Sequence, residues 1–144
     1  QPPWSYDRDR FQSLCDGCGK CIAACENSIL ILNKKGYPQV DFSRGPCSFC
    51  GTCATRCPQE ALKYDPSHPP WNLHVHINSK CLTKKNVVCS ICIEQCDNEA
   101  IASPRIIDQE KAPRILPDLC DGCGACLKIC PVQAIEINQY EYQK

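Results

Sequence analysis

Sixteen cysteines in 144 residues fall into four groups, and their spacing limits what this chain can fold into more than any other feature. The groups are Cys15, Cys18, Cys21, Cys25; Cys47, Cys50, Cys53, Cys57; Cys81, Cys89, Cys92, Cys96; and Cys120, Cys123, Cys126, Cys130. Three of them read C-x2-C-x2-C-x3-C, while the third keeps the C-x2-C-x3-C end but places seven residues between Cys81 and Cys89. A loop of this form turns three soft thiolates toward one centre and carries the fourth away from it. Glycines beside the cysteines, in Cys15-Asp16-Gly17-Cys18-Gly19 and Cys120-Asp121-Gly122-Cys123-Gly124, allow the positive φ that so tight a loop requires.

The spacing is that of 4Fe-4S ligation in bacterial two-cluster modules, where the fourth cysteine of each group serves the other group's cluster. Zinc knuckles pair two C-x2-C units per ion and have no use for a further cysteine, and a disulfide scaffold gives no reason for a strictly repeated spacing. The chain is therefore expected to hold four 4Fe-4S clusters. Composition agrees, because Leu, Ile, Val and Phe make up only 30 of 144 residues, a thin supply for an apolar core. Folding is expected to depend on cluster insertion.

The groups alternate in the two residues after their last cysteine: Glu26-Asn27 and Asp97-Asn98 in the first and third, Pro58-Gln59 and Pro131-Val132 in the second and fourth. Pro-Pro-Trp also occurs twice, ending at Trp4 and Trp71. Both observations suggest a tandem duplication. The expected fold is α+β: two small bacterial ferredoxin-like modules, 1–66 and 67–144, built of short strands and helical turns and each holding two clusters.

Within the first module, Cys15, Cys18, Cys21 and Cys57 are expected to hold one cluster and Cys25, Cys47, Cys50 and Cys53 the second. Within the second module the sets are Cys81, Cys89, Cys92 and Cys130, then Cys96, Cys120, Cys123 and Cys126. The alternative is nested pairing, the first group with the fourth and the second with the third.

Strands are expected at 29–32 and 38–42 around a Lys34-Lys35-Gly36 turn, at 101–107 and 114–116, at 62–64, at 135–137 and at 72–78. Brief helical turns before Cys25 and Cys130 are expected to carry those last cysteines. His74 and His76 share a strand face and read as solvent-facing side chains, the two tryptophans as lids on their modules, and the 82–88 insertion as a surface or docking loop.

The net charge is zero, which argues against nucleic acid or an anionic membrane as the main partner. No stretch approaches the ~18 apolar residues of a membrane-spanning helix, so no membrane insertion is expected. Four fully thiolate-ligated clusters bring about −8 of charge, so a protein partner with a basic face is expected. No set of catalytic side chains beyond the cysteines stands out, and the chain is not expected to be an enzyme.

Further residues carry a resemblance. Pro2-Pro3-Trp4-Ser5, Ala24-Cys25-Glu26 with Ile29-Leu30, Gly36-Tyr37-Pro38, Val40, Phe42 and Cys47-Ser48-Phe49-Cys50 join the long Cys81–Cys89 gap and the closing Cys120-x-Gly-Cys-Gly-Ala-Cys run. In these the chain resembles the NapF family, the ferredoxin-type accessory proteins of bacterial periplasmic nitrate reductase. The resemblance spans nearly the whole chain. It implies a cytoplasmic protein that binds the catalytic subunit of that reductase transiently before export and assists its maturation, with all sixteen cysteines as ligands. The alternative is an electron-transfer carrier or redox subunit that supplies a reductase during turnover.

Overall fold

The computed structural model describes residues 1–104 and 111–139. The chain divides into two compact units, Gln1–Trp71 and Asn72–Lys144.

In the first unit, α1 (Arg8–Leu14) begins where Asp7 caps it, its carboxylate accepting the Arg10 amide at 3.1 Å, and it ends at Cys15. This helix was not expected from the sequence, where one buried residue, Phe11, leaves no apolar period to read. A short helix, α2 (Lys20–Ala23), leads to the antiparallel hairpin of β1 (Leu30–Leu32) and β2 (Pro38–Val40), with Leu30 opposite Val40. The turn between them is organised by Asn33, whose Oδ1 accepts the amides of Lys35 and Tyr37. Then comes α3 (Thr52–Thr55). Phe11, Leu30, Ala54, Ala61 and Leu62 form the core, together with Cys21 and Cys53.

Residues 62–64, expected as a strand, make one isolated bridge from Leu62 to Ser5. That bridge fastens the N-terminal segment. The Lys63 amide donates to the Trp4 carbonyl, Trp4 Nε1 to the Asp65 carbonyl and the Trp4 amide to the Pro70 carbonyl. The two Pro-Pro-Trp segments therefore bind each other, and both belong to the first unit. Trp71 packs edge-on against Phe42 and Phe49, with ring centroids 5.6 and 5.8 Å away. These contacts explain why the division falls after Trp71 and not after residue 66, and why the second Pro-Pro-Trp does not open the second unit.

In the second unit, β3 (Leu73–Ile77) pairs antiparallel with β6 (Ile135–Gln139), joining the first and last described strands. Between them lie a 3-10 turn at Thr83–Lys85, α4 (Ile91–Glu94), the pair β4 (Ile101–Ala102) and β5 (Arg114–Ile115), and α5 (Ala125–Ile129). The expected strand 101–107 is observed at its start, and its residues 105–107 lie outside the described residues. Val75, Ala100, Ile101, Ala134 and Ile135 are buried. Among the described residues no helix is long and apolar enough to cross a membrane.

Candidate metal centres

Each short helix α2, α3, α4 and α5 carries the third cysteine of its group, Cys21, Cys53, Cys92 or Cys126. The fourth cysteine comes at or just past the helix end. The turns expected before Cys25 and Cys130 are α2 and α5, and each begins early enough to hold its group's third cysteine as well. The reason lies at their N-termini, where Gly19, Gly51 and Gly124 adopt φ of 73, 71 and 82° and turn the chain into the helix immediately after the second cysteine. The third group has Ser90 there, at φ −125°.

A second regularity lies just beyond the last cysteines. Ser28, Glu60, Glu99 and Gln133, each three residues on, have φ of 52, 49, 51 and 49°, and each amide donates back to that cysteine's carbonyl. The reversal drives the next residue, Ile29, Ala61, Ala100 or Ala134, into the interior, at 2% exposure or less. Sequence reasoning missed this turn because three of the four residues are Glu or Gln, which do not signal a left-handed backbone.

Four cavities result. The first is lined by Cys15, Cys18, Cys21 and Cys57, and the second by Cys25, Cys47, Cys50 and Cys53. The third is lined by Cys81, Cys89, Cys92 and Cys130, and the fourth by Cys96, Cys120, Cys123 and Cys126. Each cavity draws its four cysteines from one unit. With their open mouths included they measure 330, 360, 380 and 370 Å³, so the irregular third group frames a cavity like the rest. Among the described residues no three His, Cys, Asp or Glu side chains converge tightly enough to hold a single metal ion. The thiols stand around a space instead of meeting at a point, and this suits a polynuclear group.

Burial dominates the chemistry of these thiols. It pushes Cys21 up to about 11, with the charges of Cys15 and Cys57 adding to the effect. It pushes Cys53 up to about 12, helped by Cys47 and by Cys21 of the neighbouring cavity. In the second unit burial raises Cys92 to about 11, with Cys81, Cys89 and Cys130 contributing, and Cys126 to about 12, with Cys92 of the neighbouring cavity among the contributors. The third cysteines of paired groups therefore sit close enough for their charges to act on each other. Cys50 runs the other way, lowered by the hydroxyl and amide of Thr52. Thiols held this high are protonated at neutral pH, and iron must displace those protons to bind.

Amides approach the sulfurs both in the glycine-rich loops, from Gly17 to Cys15 and from Gly122 to Cys120, and outside them. Phe49, Ala100 and Ala134 donate to Cys47, Cys96 and Cys130 at 3.4, 3.3 and 3.2 Å. Asp16 and Asp121, one residue past the first cysteine, accept the amides of Cys18 and Cys123 at 3.0 and 2.9 Å and so hold the loops closed. Phe49 occupies the place of Gly17 and Gly122 and takes φ 53° despite its side chain, with its ring seated on Trp71. Trp4 and Pro3 line the second cavity.

His76 is bonded to Glu136 across the β3–β6 pair at 2.9 Å, and the His74 side chain lies outside the described atoms. The 82–88 insertion is ordered by a hydrogen bond from the Val87 amide to the Leu82 carbonyl, with Val88 98% exposed.

Known families match two stretches of the chain. A 4Fe-4S dicluster domain family matches residues 14–61, and a 4Fe-4S binding domain family matches residues 113–136. The chain is similar to the ferredoxin-type protein NapF of Escherichia coli strain K12, at 40% identity over 94% of this chain and 82% of that protein. It is similar to the NapF of Haemophilus influenzae at 37% identity, over 96% of this chain and 78% of that protein. It is also similar to the methylamine utilization ferredoxin-type protein MauM of Methylophilus methylotrophus, at 31% identity over 96% of this chain and 69% of that protein.

Proposed function

The chain belongs to the NapF family of ferredoxin-type 4Fe-4S proteins, and from that premise we propose that it holds four 4Fe-4S clusters and works in the cytoplasm as an accessory factor in maturation of the periplasmic nitrate reductase catalytic subunit before export. The observation that carries the cluster count is the set of four cavities of like size, each with four cysteines around it and none shared. On this reading each unit is a two-cluster module. The first three cysteines of a group enter one cavity, and the last enters the cavity of the paired group.

When bound, such clusters supply one-electron chemistry at potentials set by charge, hydrogen bonds to sulfur and exposure. The chain's own part is to hold the thiolates and aim amides at them. It is read as a helper and not as an enzyme. A holoprotein of about −8 charge would dock transiently on a basic surface of the catalytic subunit.

The reading is tested by deleting the protein from cells, purifying the exported reductase and assaying it with an artificial donor. A maturation helper's absence leaves that enzyme short of cluster or activity. Full cluster content and full activity would leave the other reading, electron supply during turnover. One observation favours that alternative: the helices bearing Cys21 and Cys53 pack on each other, as do those bearing Cys92 and Cys126, so the paired sites of a unit adjoin.

A further inference from the structure

Cysteines are common to the four cavities, but charged residues are not. Asp16 borders the first, Glu26 the second and Asp121 the fourth. Apart from its cysteines, the third is bordered, among the described residues, by aliphatic and proline residues alone, Ile77, Leu82, Ile91 and Val132 among them. Glu94, the carboxylate on the helix of this group, is taken up by the Ser90 hydroxyl and does not border the cavity.

What the third site has instead comes from the insertion after Cys81. Thr83 Oγ1 lies 3.1 Å from Cys81 Sγ. An iron-bound sulfur has no proton to give, so in the loaded protein the hydroxyl is the donor. Lys84 Nζ donates to the Ile77 carbonyl at 2.8 Å, which fixes an ammonium at a residue bordering the cavity.

We infer that the site of Cys81, Cys89, Cys92 and Cys130 is the most easily reduced of the four, and that Thr83 sets this through its hydrogen bond to Cys81. The inference rests on the four-cluster reading above. Reduction adds one electron, from a low-potential one-electron donor, and takes a site from a charge of about −2 to about −3 with no bond made or broken and no proton required. A carboxylate at the cavity edge opposes that change; a cation or a donor to sulfur favours it. All four cavities are similar in size and mostly apolar, so desolvation opposes reduction to a similar degree in each and the charged and polar neighbours decide the order. Amide donors serve at least three of the sites and do not separate them. Thr52 and Ser48 give Cys50 of the second site comparable side-chain bonds, so what separates that site from the third is Glu26 at its border. Lys84, like Asp16, Glu26 and Asp121, is exposed and screened by salt, so the Thr83 contact is the strongest handle. An electron entering the second unit at the fourth site would pass by way of Cys126 and Cys92 and come to rest at the third.

The test is an anaerobic redox titration of the reconstituted holoprotein with dithionite, monitored by electron paramagnetic resonance, with iron and sulfide measured on the same samples. Thr83→Val is expected to lower the highest midpoint and leave the others in place, and Thr83→Ser to restore it. Asp16→Asn and Asp121→Asn are expected to raise lower midpoints. If Thr83→Val keeps its iron and shifts a lower midpoint, or none, the inference fails while the cluster reading stands. If Thr83→Val loses one cluster, the missing signal decides: loss of the first-reduced signal supports the inference, and loss of a later one overturns it. Iron well below about 16 per chain in the unsubstituted protein would instead sink the four-cluster reading.

Discussion

Gln59 Nε2 donates to Asp16 Oδ2 at 3.0 Å across 43 residues of sequence. The bond ties the residue two past Cys57 to the loop between Cys15 and Cys18. Equivalent ties run from Asn27, two past Cys25, to the Pro46 carbonyl at 2.8 Å, and from Asn98, two past Cys96, to Asp121 at 2.7 Å. The fourth such position is Val132, which borders the third cavity instead. Each tie brings the tail of one group to the head of its partner, as the exchange of last cysteines requires.

If Cys57 serves the first site, Cys57→Ala, Cys15→Ala and the double variant should lose the same cluster, leaving about 12 iron per chain in all three. Combining Cys57→Ala with Cys25→Ala should leave about 8. Iron analysis after reconstitution checks this, and a double Cys15, Cys57 variant losing two clusters would contradict the pairing. Gln59→Ala should cost little stability, since the bond is exposed, and should speed iron release to a chelator.

A fragment ending at Trp71 should assemble two clusters and resist denaturation better than one ending at residue 66. The shorter piece lacks the Pro70 acceptor of the Trp4 amide and the Trp71 ring packed on Phe42 and Phe49. The expected difference is about 1–3 kcal/mol, read from denaturant midpoints of the two loaded fragments. Equal midpoints would show that these contacts contribute nothing.

Gly51→Ala should be much more damaging than Gly36→Ala. Both have positive φ, 71 and 83°, which costs an alanine about 1–2 kcal/mol. At Gly36 an added Cβ meets nothing within 4 Å, whereas at Gly51 it would enter the Tyr64 ring. Tyr64 packs edge-on against Trp4 at 4.9 Å, so displacing it gives up a contact with a residue that lines the second cavity. Thermal melting of the two loaded variants distinguishes them, and adding Tyr64→Ala should recover part of the Gly51→Ala loss.

Acid should strip the clusters. Cys53 and Cys126 titrate near 12 in the folded metal-free chain because they are buried, against 9.0 ordinarily. A thiol raised in this way stabilises the metal-free fold below about pH 9 and loses that contribution as the pH climbs toward about 12. Ligation works in the opposite direction, because only the thiolate binds iron and assembly releases protons. Iron loss to a chelator should therefore be faster at about pH 5 than at about pH 8, and reconstitution in weak buffer should acidify the solution. A chelation rate independent of pH would argue against buried thiolate ligation.

The sequence by itself determined the cysteine loops, the α+β class and the β1–β2 hairpin, since each is built within a short stretch of chain. Three ligands of a group come from one tight loop, and Gly17 and Gly122 announce its backbone. Only the tertiary structure decided where Trp71 belongs, that β3 pairs with β6, and that Phe49 takes left-handed backbone without glycine. Those features depend on partners far away in the sequence. Trp71 is placed by the aromatic faces of Phe42 and Phe49, and β3 by a strand some sixty residues on, with His76 opposite Glu136. Local propensity and cysteine spacing carry no record of such contacts, because the energy that selects them exists only once both surfaces have been formed.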